Sequence, residues 1–238
     1  MTDKISDLMN MNVSDKTAVV VLSGGQDSVT CLGWALEHYK SVHAIGFSYG
    51  QRHGVELEQA NKICERYNVP FAVFDLPALR QIGNSSLIST DGVVGSEAHP
   101  QHENLPASFV PNRNALFLTT AHAYAQKVGA QHVITGVCET DFSGYPDCRQ
   151  AFIEILEAAL NVGYETEIRF ITPLMWLTKA QTFELADQVG FLTTVIEDSH
   201  TCYNGDREHL HDWGYGCGEC PACKLREAGY EDWFNNNY

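Results

Sequence analysis

Apolar residues in this chain gather into short unbroken runs, and the stretches between them carry helical spacing. Ala18-Val19-Val20-Val21-Leu22 is the clearest run. It lacks alternation, which suits a parallel strand covered on both faces. Helical character follows over residues Thr30–Tyr39, then Ser41–Phe47 reads as a second strand. Val55–Tyr67 is a helix with Leu57, Ala60, Ile63 and Cys64 on one face, ended by Asn68-Val69-Pro70, and Phe71–Phe74 is a third strand. Residues 77–107, with several Gly, Ser and Pro, form a long irregular excursion of the kind that carries function or a lid. Further helices are expected over Asn114–Lys127, stopped by Gly129, over Asp147–Val162 with Phe152, Ile155, Leu156 and Ala159 on one face, and over Thr178–Gln188. His132–Val137 supplies another buried strand. Such alternation predicts an α/β fold: an open, mostly parallel sheet with helices on both faces.

The first crossover carries chemistry. Ser23-Gly24-Gly25-Gln26-Asp27-Ser28 joins the first strand to the next helix. Glycines permit positive φ and close approach of a ligand. Asp27 or Ser28 can cap the helix, whose free N–H groups and positive dipole end favour an anion. These features make a phosphate cradle. It lacks the Gly-Lys-Ser/Thr ending of a Walker loop. In such sheets ligands bind beyond the carboxyl ends of the strands, and the other polar motifs fall there. They are Ser48-Tyr49-Gly50-Gln51-Arg52-His53, Phe109-Val110-Pro111-Asn112-Arg113-Asn114, the stretch from Glu139 to Arg149, and Pro173-Leu174 with Lys179.

Composition narrows the field. An apolar fraction of 44% over 238 residues supports a sizeable core. Fifteen Lys and Arg against 30 Asp and Glu give a formal charge of −15, which argues against broad binding to nucleic acid or an anionic membrane. No apolar run is long enough to span a bilayer and no secretory leader is evident, so a cytoplasmic location is expected. Residues 1–16 are read as a polar, flexible lead, 17–195 as the nucleotide-binding α/β domain, and 196–238 as a small metal-binding segment packed on it. Cys202, Cys217, Cys220 and Cys223 cluster in that segment, and four thiolates suit a closed tetrahedral zinc site. Fourteen residues separate Cys202 from Cys217, and His209 or His211 in that insert is the alternative ligand. Cys31, Cys64 and Cys138 read as buried small hydrophobes.

The Ser-Gly-Gly-x-Asp-Ser loop resembles that of the ATP-pyrophosphatase (PP-loop) superfamily. Together with Ser48–His53, Gly144-Tyr145-Pro146-Asp147-Cys148-Arg149 and the terminal Cys-x-x-Cys-x-x-Cys, the set is similar to the 7-cyano-7-deazaguanine synthase family, from about Lys16 to about Gly229. That resemblance implies an adenine nucleotide α-hydrolase-like fold, one structural zinc per chain and a homodimer. It implies conversion of 7-carboxy-7-deazaguanine and ammonia to the nitrile through an amide, using ATP and magnesium, with no nucleic acid or membrane partner. On that basis Leu22, Ser23, Gly24, Gly25, Gln26, Asp27, Ser28, Val29, Thr30 and Cys31 are expected to wall the nucleotide, with Asp27, Arg113 and Lys179 catalytic. Asp27 either helps place magnesium or serves only as a cap. Arg52, His53, Arg113, Asn114, Asp141, Tyr145, Asp147 and Arg149 are expected against the substrate, the carboxylates on its guanine-like edge and Tyr145 stacked on the base. Asn112 stands where the family commonly has Gly, and Asn tolerates left-handed φ. Two other readings stay open: a PP-loop ATPase acting on a tRNA base or a protein amine, and a nucleotide-binding regulator.

Overall fold

The structure, a computed structural model, describes residues 4–50, 54–79, 98–99, 102–106, 109–140 and 145–237. Five strands form one parallel sheet in the order β3-β2-β1-β6-β7: β1 (Thr17–Val21), β2 (Ser41–Ser48), β3 (Phe71–Asp75), β6 (His132–Ile134) and β7 (Arg169–Ile171). A small antiparallel pair, β4 (Ala98–His99) and β5 (His102–Pro106), lies within the expected irregular excursion. Ala18, Val19 and Val20 of β1 are fully buried and pair with both β2 and β6. Ala18 and Val20 belong to one apolar cluster and Val19 to another, which is why the run shows no alternation.

The first cluster packs helices α2 (Gln26–His38) and α3 (Val55–Arg66) on one face, and the second packs α4 (Arg113–Val128) and α5 (Gln150–Tyr164) on the other. Helices connecting β1 through β3 thus lie opposite those connecting the chain to β6 and β7. Right-handed crossovers that run from β1 to β3 in one direction and then past β1 to β6 and β7 in the other give this arrangement. Strand order reverses between β1 and β6, and the crevice opens there. Helices α6 (Lys179–Gln188), α7 (Leu192–Glu197) and α8 (Pro221–Asn237) complete the first face, with a short hairpin, β8 (Leu210–His211) and β9 (Gly214–Tyr215), before α8.

Several boundaries move from their expected places. Helix α2 begins at Gln26, one residue ahead of the start expected at Asp27-Ser28, with Gly25 as its N-cap and no side-chain cap, so neither Asp27 nor Ser28 caps it. Strand β6 ends at Ile134, after which Gly136 passes the first turn of α2. A Cβ at Gly136 would lie 3.1 Å from the Asp27 carbonyl carbon. Asp147 stands in a 3-10 turn over Pro146–Cys148, and α5 starts at Gln150. Its buried residue is Ile153, while Ile155, placed on the inner face by periodicity, is 70% exposed. The stretch expected as a polar lead carries α1 (Lys4–Met9), with Ile5 buried in the first cluster and Lys4 Nζ donating to Trp176 O at 2.7 Å.

Gly33 marks where α2 meets the segment before α7: a Cβ there would stand 2.4 Å from the Phe191 ring. Alanine gains about 1 kcal/mol of helix propensity, but overpacking a core contact costs about 1–3 kcal/mol. With so close an approach, urea titration of Gly33→Ala should show a net loss, and unchanged stability would mean that α2 and Phe191 separate freely.

Candidate nucleotide and substrate cleft with a cysteine metal centre

The loop after β1 holds itself by hydroxyls. Leu22 N makes the last ladder bond, to Ile45 O at 2.8 Å. Gly24 then turns at φ +94, and a Cβ there would fall 2.0 Å from Glu56 O, so only glycine fits between the loop and α3. Ser28 Oγ accepts from the amides of Ser23 and Gly24, each at 3.2 Å, and donates to Gly25 O at 3.0 Å. Ser23 Oγ accepts from Gly25 N at 3.2 Å. Four amides at the positive end of α2 therefore meet neutral oxygens at long distance: those of Ser23, Gly24, Gly25 and, through Thr201 Oγ1, Gln26. A phosphate can replace the serine hydroxyls among these weak acceptors with charged ones, while Gln26 N keeps its bond to Thr201 Oγ1. Gln26 is 2% exposed, lines the cleft, and keeps its Nε2 without an acceptor among the described residues. A buried donor of this kind suits a bound ligand.

A cleft of about 380 Å³ opens over this loop. Leu22, Ser23, Gly25, Gln26, Asp27, Ser28, Arg113, Asn114, Tyr145 and Lys179, all expected at the site, line it. Val29, Thr30 and Cys31 do not: they are fully buried inside α2, where Thr30 Oγ1 donates to Gln26 O at 3.0 Å. Asp147 is buried under the cleft floor, its Oδ2 accepting from Asn114 N at 3.2 Å, and it is not a lining residue. Arg149 is exposed at the start of α5 and away from the lining. Arg52, His53 and Asp141 lie outside the described residues.

Lys179 Nζ donates to both oxygens of Asp27, at 2.8 and 2.7 Å. The lysine sits first in α6, where Thr178 and Gln181 form a capping box. Both oxygens of the Asp27 carboxylate thus face the Lys179 ammonium. Asn112 takes φ 59 before α4, so the left-handed turn survives without glycine. It delivers Arg113, whose guanidinium lies 5.7 Å over the Tyr145 ring. Burial works against the Arg113 charge, but Tyr49, Tyr145, Asp147 and Cys148 outweigh it and hold the group above its ordinary range. Asn114 does not cap α4. Its side chain donates to Asp147 O at 3.4 Å and Cys148 Sγ at 3.3 Å. Burial, aided by Asp147, pushes the Cys148 thiol up to about 12, so it is no nucleophile at neutral pH. Phe47 stacks on Phe117 at 4.2 Å, and Tyr49 closes on Phe117 at 5.5 Å. With Tyr145 these rings give the cleft an aromatic wall.

Glu56, in the first turn of α3, is a lining residue absent from the sequence-based set. A glutamate in the first turn of an amphipathic helix ordinarily faces water, so periodicity gave no reason to single it out. Burial pushes its carboxyl up to about 7, against the pull of Arg113.

At the other end of the cleft the Sγ atoms of Cys202, Cys217, Cys220 and Cys223 all lie within 4.8 Å of one another. Cys217 and Cys223 Sγ are 3.9 Å apart, close to the roughly 3.8 Å edge of a tetrahedron with metal–sulfur bonds near 2.3 Å. Amide N–H groups of Cys220 and Cys223 point at Cys217 Sγ and Cys220 Sγ, at 3.4 and 3.5 Å. His209 instead pairs with Asp206 at 2.8 Å, and His211 stacks on Trp213 and meets Gly216 O. The four cysteines are therefore the donor set, and they fit a metal ion.

A parallel sheet with a glycine-turned, hydroxyl-held loop at its switch point, and an aromatic cleft above it, defines an α/β protein with the PP-loop type of fold. Within that class the chain belongs to the queuosine biosynthesis protein QueC family, whose model matches residues 17–234. It is 53% identical to a 7-cyano-7-deazaguanine synthase of Wolinella succinogenes, over 93% of this chain and 95% of that protein. A protein of the same name from Helicobacter pylori (strain Shi470) is 48% identical over 94% of this chain and 99% of its own length. Among solved structures, a 4-thiouridine synthetase–RNA complex with bound ATP is similar at a TM-score of 0.50 and 18% identity, covering 92% of this chain and 53% of that one.

Glu56 holds its proton more tightly folded than unfolded. Its contribution to stability is full below the unfolded carboxyl range and is lost as pH rises through about 7. The melting temperature of Glu56→Gln should therefore gain on the parent as pH rises from about 5 to about 8. A constant difference across that range would refute the buried carboxyl.

Proposed function

We propose that this chain makes 7-cyano-7-deazaguanine from 7-carboxy-7-deazaguanine, ammonia and ATP, as the names of its relatives describe. The observation that carries the reading is the Asp27–Lys179 pair standing between the phosphate loop and a cleft walled by Tyr49, Phe117 and Tyr145. A planar, anionic, guanine-like acid needs stacking surface and a cation, and this cleft offers both. Arg113 presents two parallel N–H donors to the substrate carboxylate. A carboxylate oxygen attacks the α-phosphorus of ATP and diphosphate leaves. Ammonia then attacks the acyl carbon and displaces AMP, leaving the amide after loss of a proton. Activation of the amide oxygen by a second ATP expels diphosphate again with loss of one N–H proton, and departure of AMP with loss of the second N–H proton forms the nitrile. No electrons change hands. Lys179, poised on Asp27, turns to the charge that builds on the phosphates. Magnesium, arriving with the nucleotide, neutralises phosphate charge. No step is assigned to Asp27 as its ligand.

Residues 17–195 are proposed as the catalytic α/β unit and 196–238 as the segment that holds zinc through Cys202, Cys217, Cys220 and Cys223. A homodimer is proposed through α5, where Ile155 and Val162 are seven residues apart on one helical stripe and are 70% and 82% exposed. Among the described residues no helix is long and apolar enough to cross a membrane, and the acidic surface disfavours tRNA as acceptor.

Mass spectrometry of purified protein with the acid, ammonium, ATP and magnesium should show the nitrile, with amide as the intermediate. Lys179→Ala should lower turnover by about 10²–10³-fold. Arg113→Lys should chiefly raise KM for the acid, since an ammonium cannot pair bidentately. No nitrile or amide from folded, metal-loaded protein would sink the reading. For the dimer, light scattering of Val162→Glu should report a monomer where the parent reports twice that mass. A parent that is itself monomeric ends the proposal.

A further inference from the structure

Three consecutive residues join the phosphate loop to the cysteine centre. His200 N donates to Gly24 O at 2.8 Å, Thr201 Oγ1 accepts from Gln26 N at 3.2 Å, and Cys202 is one of the four clustered thiols. Gln26 is the first residue of α2, so the acceptor that orients its amide comes from a segment far away in sequence.

The same hydroxyl has a second donor. Arg226 Nη1 donates to Thr201 Oγ1 at 3.2 Å. Arg226 is 1% exposed and lies three residues beyond Cys223, one turn along α8. Its Nε donates to Trp213 O and its Nη2 to Val195 O, each at 2.7 Å, so its hydrogen-bond partners are carbonyl and hydroxyl oxygens. Gly214 lets it in, since a Cβ there would stand 2.3 Å from Arg226 Nη2. Two of the four thiols thus bracket one hydroxyl: Cys202 is its neighbour in the chain, and Cys223 is a helical turn from the guanidinium that fixes it.

Helix α8 touches the site a second time. Gly229 lies against Lys179, where a Cβ would come within 2.5 Å of the Lys179 Cβ. The helix headed by the cysteine centre therefore supports both the residue that orients the Gln26 amide and the backbone of the lysine that holds Asp27.

We propose that Thr201 is a positioning residue that couples metal at the cysteine centre to nucleotide at the phosphate loop, so that each tightens the binding of the other. Metal cross-links Cys202 to Cys223 and so fixes the Thr201 hydroxyl and Arg226 in register. That register presets the Gln26 amide and the turn at Gly24, removing an ordering cost that the nucleotide otherwise meets. Linkage makes the effect reciprocal. The inference rests on the nucleotide reading above.

The test uses full-length, zinc-loaded protein and a chromophoric chelator that competes for zinc, with and without ATP, in the parent, Thr201→Val and Thr201→Ser. ATP should raise the parent's zinc affinity by about 5-fold or more, within the usual range of coupling. Thr201→Val, which removes the acceptor, should bring that factor close to one while zinc affinity without ATP changes little. Thr201→Ser, which keeps the hydroxyl, should retain it. A merely structural threonine would lower zinc affinity equally with and without ATP. Thr201→Ala serves as a second hydroxyl-free variant should valine fail to fold beside Arg226. Calorimetric ATP titration of the zinc-loaded parent separates the two ideas. No ATP binding overturns the nucleotide reading and the coupling together. ATP binding with a parent factor of one, or a factor that survives both hydroxyl-free variants, overturns the coupling alone.

Discussion

Everything at the site depends on one constraint: a parallel strand must hand its chain to a helix on the sheet face, and at β1 it does so where strand order reverses. Neighbours on either side of β1 send their connections to opposite faces, so no crossover covers the end of β1. The turn there is tight enough that Gly24 has φ +94 and no space for a Cβ against Glu56 O. From that turn α2 starts at the crevice, with Gln26 N held by the Thr201 hydroxyl. Gly136 keeps the next strand's exit from colliding with the first turn of α2. Cleft, loop and helix dipole are thus consequences of one topological choice.

What sequence conveys and what it withholds follow from the same physics. The unbroken apolar run of β1, the Gly-Gly turn, the spacing of three terminal cysteines and the helix starting at Thr178-Lys179 are local signals, and the structure keeps all of them. Asn112 in left-handed conformation was also legible, because the tolerance is a property of the residue itself. Meetings between distant segments were not. Glu56 looks like any polar residue in the first turn of an amphipathic helix, and only the packing of α3 against the loop turns it into the cleft. Asp147 lies inside a recognisable motif yet faces Asn114 N rather than the cleft. Thr201 stands beside a cysteine and carries no motif of its own. Helical period misplaced Ile155, which is exposed, whereas Phe152 and Leu156 of the same stripe pack against the second cluster beside the buried Ile153.

The cleft manages its charges by pairing and by position. Asp27 and Lys179 neutralise each other, with side-chain exposures of 31% and 13%. That neutrality holds the lysine beside the loop without leaving a bare cation there, and an arriving phosphate offers it a stronger partner. Arg113 is placed differently, among phenols, a thiol and the Asp147 carboxylate, with a ring rather than a carboxylate beneath it. It keeps its charge, meets Tyr49 by a side-chain hydrogen bond and lines the cleft. Two cations, one held by a carboxylate and one set among phenols, fit a reaction in which a substrate carboxylate must meet a phosphate.

The C-terminal segment shows why a metal suits this fold better than more hydrophobic core. Between Cys202 and Cys217 the chain makes a hairpin of two-residue strands, too short to hold its own geometry. The cluster of Trp213 with the cysteines is small. A metal held by four thiols that lie within 4.8 Å of one another would convert that weak module into a rigid point at the head of α8. Arg226, buried among carbonyls on that helix, has its guanidinium pulled down to about 10 by burial. A buried cation of this kind is tolerated only where its oxygens are fixed, and the residues that fix them, Thr201 and Trp213, flank the metal ligands. The phosphate loop meets that segment through the Thr201 hydroxyl and the His200 amide.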